Sequence, residues 1–327
     1  MTGAYIPARD YAVVLSARMS SERLPGKALL DLEERETVLA GLVKRWLYAG
    51  SRGPVVIVAT SDEPEDDAIQ DEIEREFGSW ILGRDVKLYR GSRDNVLARM
   101  DGALKACAPD AQFVARALAD NPLVDVGLAD WRLDTLRDLG AEGVHYGGRE
   151  SELTYAATTD VWSRAAWDRI VEHSSGSQLE HPGAWYWENL GKFKAAHLTL
   201  PRAEYITRLR TELDTPEDLA MFRAVWREHG TQPDTLEALQ WLANHPEVAR
   251  LNADVPLKTM TRAVWNEGSE WQCPNCQRRM GGLVNGDLVL RCKCGTRKKF
   301  YSRPPARMGP SSAATNRYST IKGGGAR

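Results

Sequence analysis

No apolar run in this chain approaches the length needed to cross a bilayer, which is about 20 residues. The opening stretch, Met1 to Asp10, lacks the apolar core of a secretory signal. Both absences predict a cytoplasmic protein that makes no membrane contact. Cysteine is scarce, five in 327 residues, which argues against a disulfide scaffold and fits a reducing compartment. There is no Gly-x-Gly-x-x-Gly fingerprint and no Walker loop, so dinucleotide-binding and P-loop readings fail. There is no long internal repeat. Acids are nearly missing from one end: residues 271–327 hold 12 of the 43 Lys+Arg but only one of the 45 Asp+Glu, Asp287. That end carries +11 and the rest −13, which predicts two units with different partners.

What is present is ordinary for a globular chain, 43% hydrophobic and 27% charged. The most informative stretch is Ala17-Arg18-Met19-Ser20-Ser21-Glu22-Arg23-Leu24-Pro25-Gly26-Lys27. It follows Tyr11 to Ala17, a short apolar run that reads as a buried strand. Two arginines, two hydroxyls and a lysine in one loop suit a polyphosphate. Arginine offers a planar fork to phosphate oxygens, and lysine a compact charge. Backbone N–H groups of a tight loop are expected to add donors. Pro25-Gly26 turns the chain out of the loop. A solvated basic loop is the bland alternative.

Further along, apolar runs alternate with helical periodicity. Strands are expected at Val55–Thr60, Val86–Arg90 and Gln112–Arg116. Helices are expected over Glu36–Tyr48, from the acidic Ser61–Asp67 segment to Phe77, and from a cap at Gly91–Asn95 towards Cys107. Leu153–Thr158, Phe193–Leu198 and Tyr205–Leu213 read as later strands, and Ser163–His173 as a helix. A helical stretch is expected to start at Ser177–Pro182. Thr215-Pro216-Glu217-Asp218 is a strong helix start, leading to about His229. A last helix is expected from Asp234 to about Asn244. This alternation predicts an α/β fold with a mainly parallel sheet in a three-layer sandwich. Ligands of such sheets sit at the carboxyl ends of the strands. The Ala17–Lys27 loop and Asp120 both fall there. No Asp-x-Asp pair stands at the fourth strand, which weakens a glycosyltransferase reading.

Five segments together resemble the SpsF-type (spore-coat polysaccharide) cytidylyltransferases, relatives of the CMP-Kdo and CMP-sialate synthetases. They are Val58-Ala59-Thr60 with the acidic segment after it, Arg90 to Arg99, Arg116 through Asp120-Asn121-Pro122, Glu180-His181, and Leu213 to Leu219, and they stand beside the first loop, which carries the same resemblance. Ser20 and Glu22 stand where that family usually has glycine and threonine. The resemblance implies a Rossmann-like nucleotide-diphospho-sugar transferase (GT-A-like) fold and transfer of CMP from CTP to a sugar hydroxyl. It implies Mg²⁺ held by Asp120 and Asp214. Read alone, Asp120 is equally a turn former and Asp214 a helix-start residue. Arg18 and Lys27 would hold the β- and γ-phosphates, which with the two acids makes four catalytic candidates. Ala17, Arg18, Ser20, Ser21, Arg23, Lys27, Gly91, Ser92, Asp94 and Arg116 are the expected nucleotide contacts. Arg116 is alternatively an ion-pair partner. His181 is an acceptor contact or a helix-start histidine. Trp162, Trp167, Trp185 and Trp187 are expected to pack rather than to stack on sugar. CTP and a sugar acceptor are the implied partners, with a homodimer left open.

The C-terminal unit falls outside that resemblance. Cys273-Pro274-Asn275-Cys276 and Cys292-Lys293-Cys294 have zinc-ligand spacing, and the segment between them reads as a hairpin with an Asn285-Gly286 turn. The expectation is a small β zinc ribbon whose Zn²⁺ supplies its folding energy. A redox dithiol is the alternative. The expected layout is 1–247 as the α/β domain, 248–268 as linker, 269–301 as ribbon and 302–327 as a disordered basic tail. That tail, next to Phe300 and Tyr301, suits nucleic acid, so a nucleic-acid-binding or targeting protein with a repurposed enzyme fold is the second reading.

Overall fold

The structure is a computed structural model. It describes residues 10–33, 36–48, 53–83, 85–146, 154, 159–198, 209–256, 283–284, 287–289 and 300–301. In chain order the elements are β1 (Tyr11–Ser16), β2 (Asp31–Glu33), β3 (Glu36–Thr37), α1 (Val38–Tyr48), β4 (Val55–Ser61), α2 (Asp67–Gly83), β5 (Val86–Gly91), α3 (Val96–Cys107), β6 (Phe113–Leu118), α4 (Val126–Leu139), β7 (Gly143–Tyr146), β8 (Asp160–Ser163), α5 (Arg164–His173), α6 (Ala184–Glu188), β9 (Ala195–Leu198), α7 (Pro216–His229), α8 (Thr235–Asn244), α9 (Pro246–Ala249), β10 (Leu283–Val284), β11 (Asp287–Val289) and β12 (Phe300–Tyr301).

Seven strands form the central sheet in the order β5-β4-β1-β6-β8-β7-β9. β5, β4, β1 and β6 run parallel, whereas β8 is antiparallel to both β6 and β7. β1 is an interior strand, between β4 and β6, and is buried on both faces. Tyr11, Val13 and Leu15 join one apolar core with α1, α2, α4, α7 and α8. Ala12 and Val14 join the other, with α3, α5 and α6. This is the expected mainly parallel, three-layer α/β fold, and it follows from the period-2 alternation of a strand covered on both sides. Trp162, Trp167 and Trp185 are buried in the second core and Trp187 packs against it, as expected.

Local signals explain the helix starts. The Asn95 side chain accepts from the Ala98 N–H at 2.8 Å to cap α3. Thr215 and Asp218 form a reciprocal capping box with Pro216 at the first turn of α7. Among the elements with no counterpart in the sequence-based expectations are α4, β7 and the antiparallel β2–β3 pair. α4 had readable signals, an Asp125 cap accepting from Leu128 and a left-handed Gly140 at its end.

The later segments differ in part from expectation. Of the Leu153–Thr158 strand, only Thr154 is among the described residues and it is in no strand. The strand that pairs with β6 is Asp160–Ser163. Leu209–Leu213, the described part of the expected Tyr205–Leu213 strand, and Asp214 after it lie in no strand among the described residues, and the Leu213 N–H bonds the Asp120 carbonyl at 2.8 Å. Helical packing also continues past residue 247, through α9 and a 3₁₀ turn at Arg250–Asn252. Among the described residues no helix is long and apolar enough to cross a membrane.

At the C-terminal end, β10 pairs antiparallel with β11, with Val284 opposite Asp287. Asn285 and Gly286, where the sequence predicts the turn, lie outside the described residues. β12 adds to the other side of β11. Cys273, Cys276, Cys292 and Cys294, and the tail from 302 onward, lie outside the described residues.

Candidate active site

The site is built at the carboxyl edge of the sheet, starting from the loop after β1. The Ala17 N–H is bound by the Ala59 carbonyl at 3.2 Å. Behind the loop sits Asp66, fully buried. Its Oδ1 accepts from the Met19 N–H at 2.7 Å and its Oδ2 from the Ser61 N–H and hydroxyl at 3.0 and 2.5 Å. The Met19 carbonyl in turn accepts from the N–H groups of Ser21 and Gly26, both at 2.9 Å. Gly26 has φ of +69°, a conformation glycine adopts without strain. Ser20 needs no such freedom, since Gln232 is the one non-glycine with positive φ among the described residues.

These bonds correct one expectation. The N–H groups of Met19, Ser21, Gly26 and Lys27 are spent inside the protein, so at those positions the backbone does not offer donors to phosphate. The loop presents side chains instead. The Lys27 ammonium donates to Asp214 Oδ1 at 2.7 Å, to the Leu213 carbonyl at 3.0 Å and to Asp120 Oδ2 at 3.4 Å. The Arg23 guanidinium bonds the other oxygen, Asp214 Oδ2. Four expected residues, Arg23, Lys27, Asp120 and Asp214, thus meet in one cluster although Lys27 and Asp214 are 187 residues apart. Asp214 is 4% exposed at its side chain and Asp120 22%.

Arg18 is placed elsewhere. Its guanidinium lies 3.8 Å from Glu180 Oε1, with both side chains exposed. Arg116 forms an ion pair with Asp160 at 3.3 Å and donates to the Pro182 carbonyl at 2.8 Å. The ion-pair alternative for Arg116 is therefore the one the geometry carries. Gly91 ends β5, close against Tyr89 and Arg99. The Ser92 hydroxyl accepts from the Asn95 N–H at 3.0 Å, and Asp94 and His181 are exposed.

Several residues that matter here were not singled out from sequence. Arg99, 1% exposed, donates to the carbonyls of Ser92 and Arg93 and to the Ser16 hydroxyl. It ties the loop after β5 to the end of β1. Burial, and then the charge of Arg18, lower its pKa from the ordinary arginine value. A cation between Val96, Met100 and Ala103 on the apolar stripe of α3 was the signal. Asp218 and Arg210 were also missed as site residues. Asp218 bonds Arg210 through both carboxylate oxygens, at 2.7 and 3.0 Å, and accepts from the Asp214 N–H at 2.9 Å. Burial alone would raise the Asp218 pKa. The hydrogen bonds from Arg210, the Asp214 N–H and Asn252 outweigh it and hold the carboxyl below the usual aspartate range.

Comparison with known proteins supplies the family. Residues 12–205 match the family model described as "Cytidylyltransferase". The chain is 26% identical over 250 residues to the spore coat polysaccharide biosynthesis protein SpsF of Bacillus subtilis, covering 73% of this chain and 97% of that one. It is 28% identical over 244 residues to 3-deoxy-manno-octulosonate cytidylyltransferase of Methylococcus capsulatus, covering 68% and 86%. Among solved structures, a cytidylyltransferase from Leptospira borgpetersenii superposes with a TM-score of 0.64 at 20% identity, over 74% of this chain and 97% of that one, which is a likeness of fold. With more than half its length matched by the family model, the chain belongs to the cytidylyltransferase family.

Proposed function

We propose that this cytidylyltransferase transfers CMP from CTP to a hydroxyl of a sugar and releases pyrophosphate, making an activated sugar. The acceptor oxygen bonds to the α-phosphorus, the bond from that phosphorus to the bridging oxygen breaks, and the hydroxyl proton leaves to solvent. The supporting observation is the convergence of Lys27, Arg23, Asp120 and Asp214 at the carboxyl edge of the sheet. Charge builds on the leaving pyrophosphate, so cationic side chains held in place are the chain's main contribution. Lys27 and Arg23 supply that charge from the cluster. Arg18 supplies it from the Glu180 side, where an exposed pair at 3.8 Å costs little to break.

The donor set suits Mg²⁺. Two carboxylates already face a shared cation, the Lys27 ammonium, and hard oxygen ligands with one partly exposed member match a metal that keeps waters and binds phosphates. Asp120 and Asp214 would hold it. When bound, the metal would neutralise phosphate charge.

The test is pyrophosphate release with each nucleoside triphosphate against a panel of keto-sugar acids and neutral sugars. CTP with one acceptor class should give release that depends on Mg²⁺. No release with any triphosphate, together with salt-sensitive retention on DNA or RNA, would replace this reading with the nucleic-acid one that the +11 segment favours. For the cysteine pairs the proposal remains a zinc ribbon, tested by metal content at one zinc per chain.

A further inference from the structure

Asp214 is gripped from behind by groups that the proposed chemistry does not use. Its N–H and that of Thr215 both donate to Asp218 Oδ2 at 2.9 Å, alongside Arg210 at 3.0 Å. On the other oxygen, Asp218 Oδ1 receives the Arg210 Nε–H at 2.7 Å and the Asn252 amide at 2.9 Å. A carboxylate has about four lone-pair sites, so Asp218 is saturated. The Asn252 amide also donates to the Arg210 carbonyl at 3.1 Å. Asp218 is fully buried and Asn252 is 2% exposed.

This arrangement has a consequence for Leu209–Asp214. That segment lies in no strand among the described residues, and the bonds to Asp218 are among those that hold it. The amide of Asn252 bridges both ends of the Arg210–Asp218 pair and adds no charge. Asn252 lies beyond the family match and inside the stretch that reads as a linker.

We propose that Asn252 is a positioning residue: through Asp218 it fixes the backbone that carries Asp214, so the chain after α8 forms part of the site. The role towards metal rests on the reading that Asp214 binds Mg²⁺.

The experiment uses the full chain and two variants, N252A and N252D, with two readouts besides the urea midpoint. The first is hydrogen exchange of the 209–218 segment, with β1 and β6 as internal controls. The second is titration with CTP in the presence and absence of Mn²⁺, read as the ratio of the two affinities. Asn252→Asp keeps the size but removes the donor and sets a like charge against Asp218. Exchange of 209–218 should rise about fivefold in both variants while β1 and β6 stay protected. The metal enhancement should fall about threefold in N252A and about tenfold in N252D, with metal-free CTP affinity unchanged. If Asn252 only packs, both variants lower the urea midpoint while the ratio stays that of the wild type. That result, or unchanged exchange in both variants, overturns the proposal. A wild-type chain whose CTP affinity ignores Mn²⁺ overturns the proposed function as well. A responsive wild type with an unchanged ratio in N252D overturns this inference alone.

Discussion

The two walls of the site are held very differently. The loop wall, Ala17–Lys27, has its backbone folded onto Asp66 and Met19, but its arginine side chains remain 35–39% exposed. In the acid wall, Leu209–Asp218, the residues Arg210, Asp214 and Asp218 are buried, and they are bonded several times over. Cations that must meet an arriving triphosphate gain from staying hydrated and free to move until it binds. A carboxylate that must keep one geometry gains from being fixed beforehand, since ordering it at the moment of reaction would be lost from the rate.

If the acid wall sets the chemistry, Asp214→Asn should have the largest effect. We expect pyrophosphate release with CTP to fall about 10³-fold, because the fixed charge disappears from a buried place. A loss under tenfold in a steady-state assay would reverse the ranking of the walls. Lys27→Met is next, with an expected fall of about 10²-fold in kcat/KM. Being deep in the cluster, Lys27 should behave as part of the acid wall. An effect confined to KM would move it to the loop wall instead.

Asp218→Asn sharpens the comparison through stability. It breaks a buried ion pair from one side, which costs about 3 kcal/mol, measurable as a lower urea midpoint. Its pH dependence has a definite sign. A carboxyl depressed in the folded state stabilises fully above its unfolded pKa, about 3.9, and loses that contribution as pH falls through the lower folded value. The wild type should therefore lose stability more steeply below about pH 4 than D218N does. Equal slopes would mean that Asp218 is not held ionised by its partners. Glu180→Ala, on the loop side, should be the mildest change, under about 0.5 kcal/mol in stability. A larger loss would show that the exposed Arg18–Glu180 pair is structural.

Part of the chain was readable before any coordinates. The order of the sheet strands and helices up to α3, apart from the β2–β3 pair, and the Thr215-Pro216 start of α7 are written in local pattern, whereas Asp120 and Asp214 were paired only by the family resemblance. Periodicity and capping act over a few residues, so a sequence displays them directly. The antiparallel β8 was not readable, nor was the pairing of Arg116 with Asp160, because both depend on which strand arrives beside β6. Arg99 left a trace as a cation on an apolar stripe, but its partners come from separate loops.

The sequence by itself determined which side chains are available: a cationic loop behind a buried strand, an acid at each of two later turns, and helices that start where their caps stand. Only the tertiary structure decided that Lys27 faces both acids, that Arg18 faces Glu180, and that Asn252 reaches back under Asp214. The physical reason is range. Propensity and capping are settled within about one helical turn, whereas a buried charge must find partners wherever folding places them, and those came from positions up to 191 residues away.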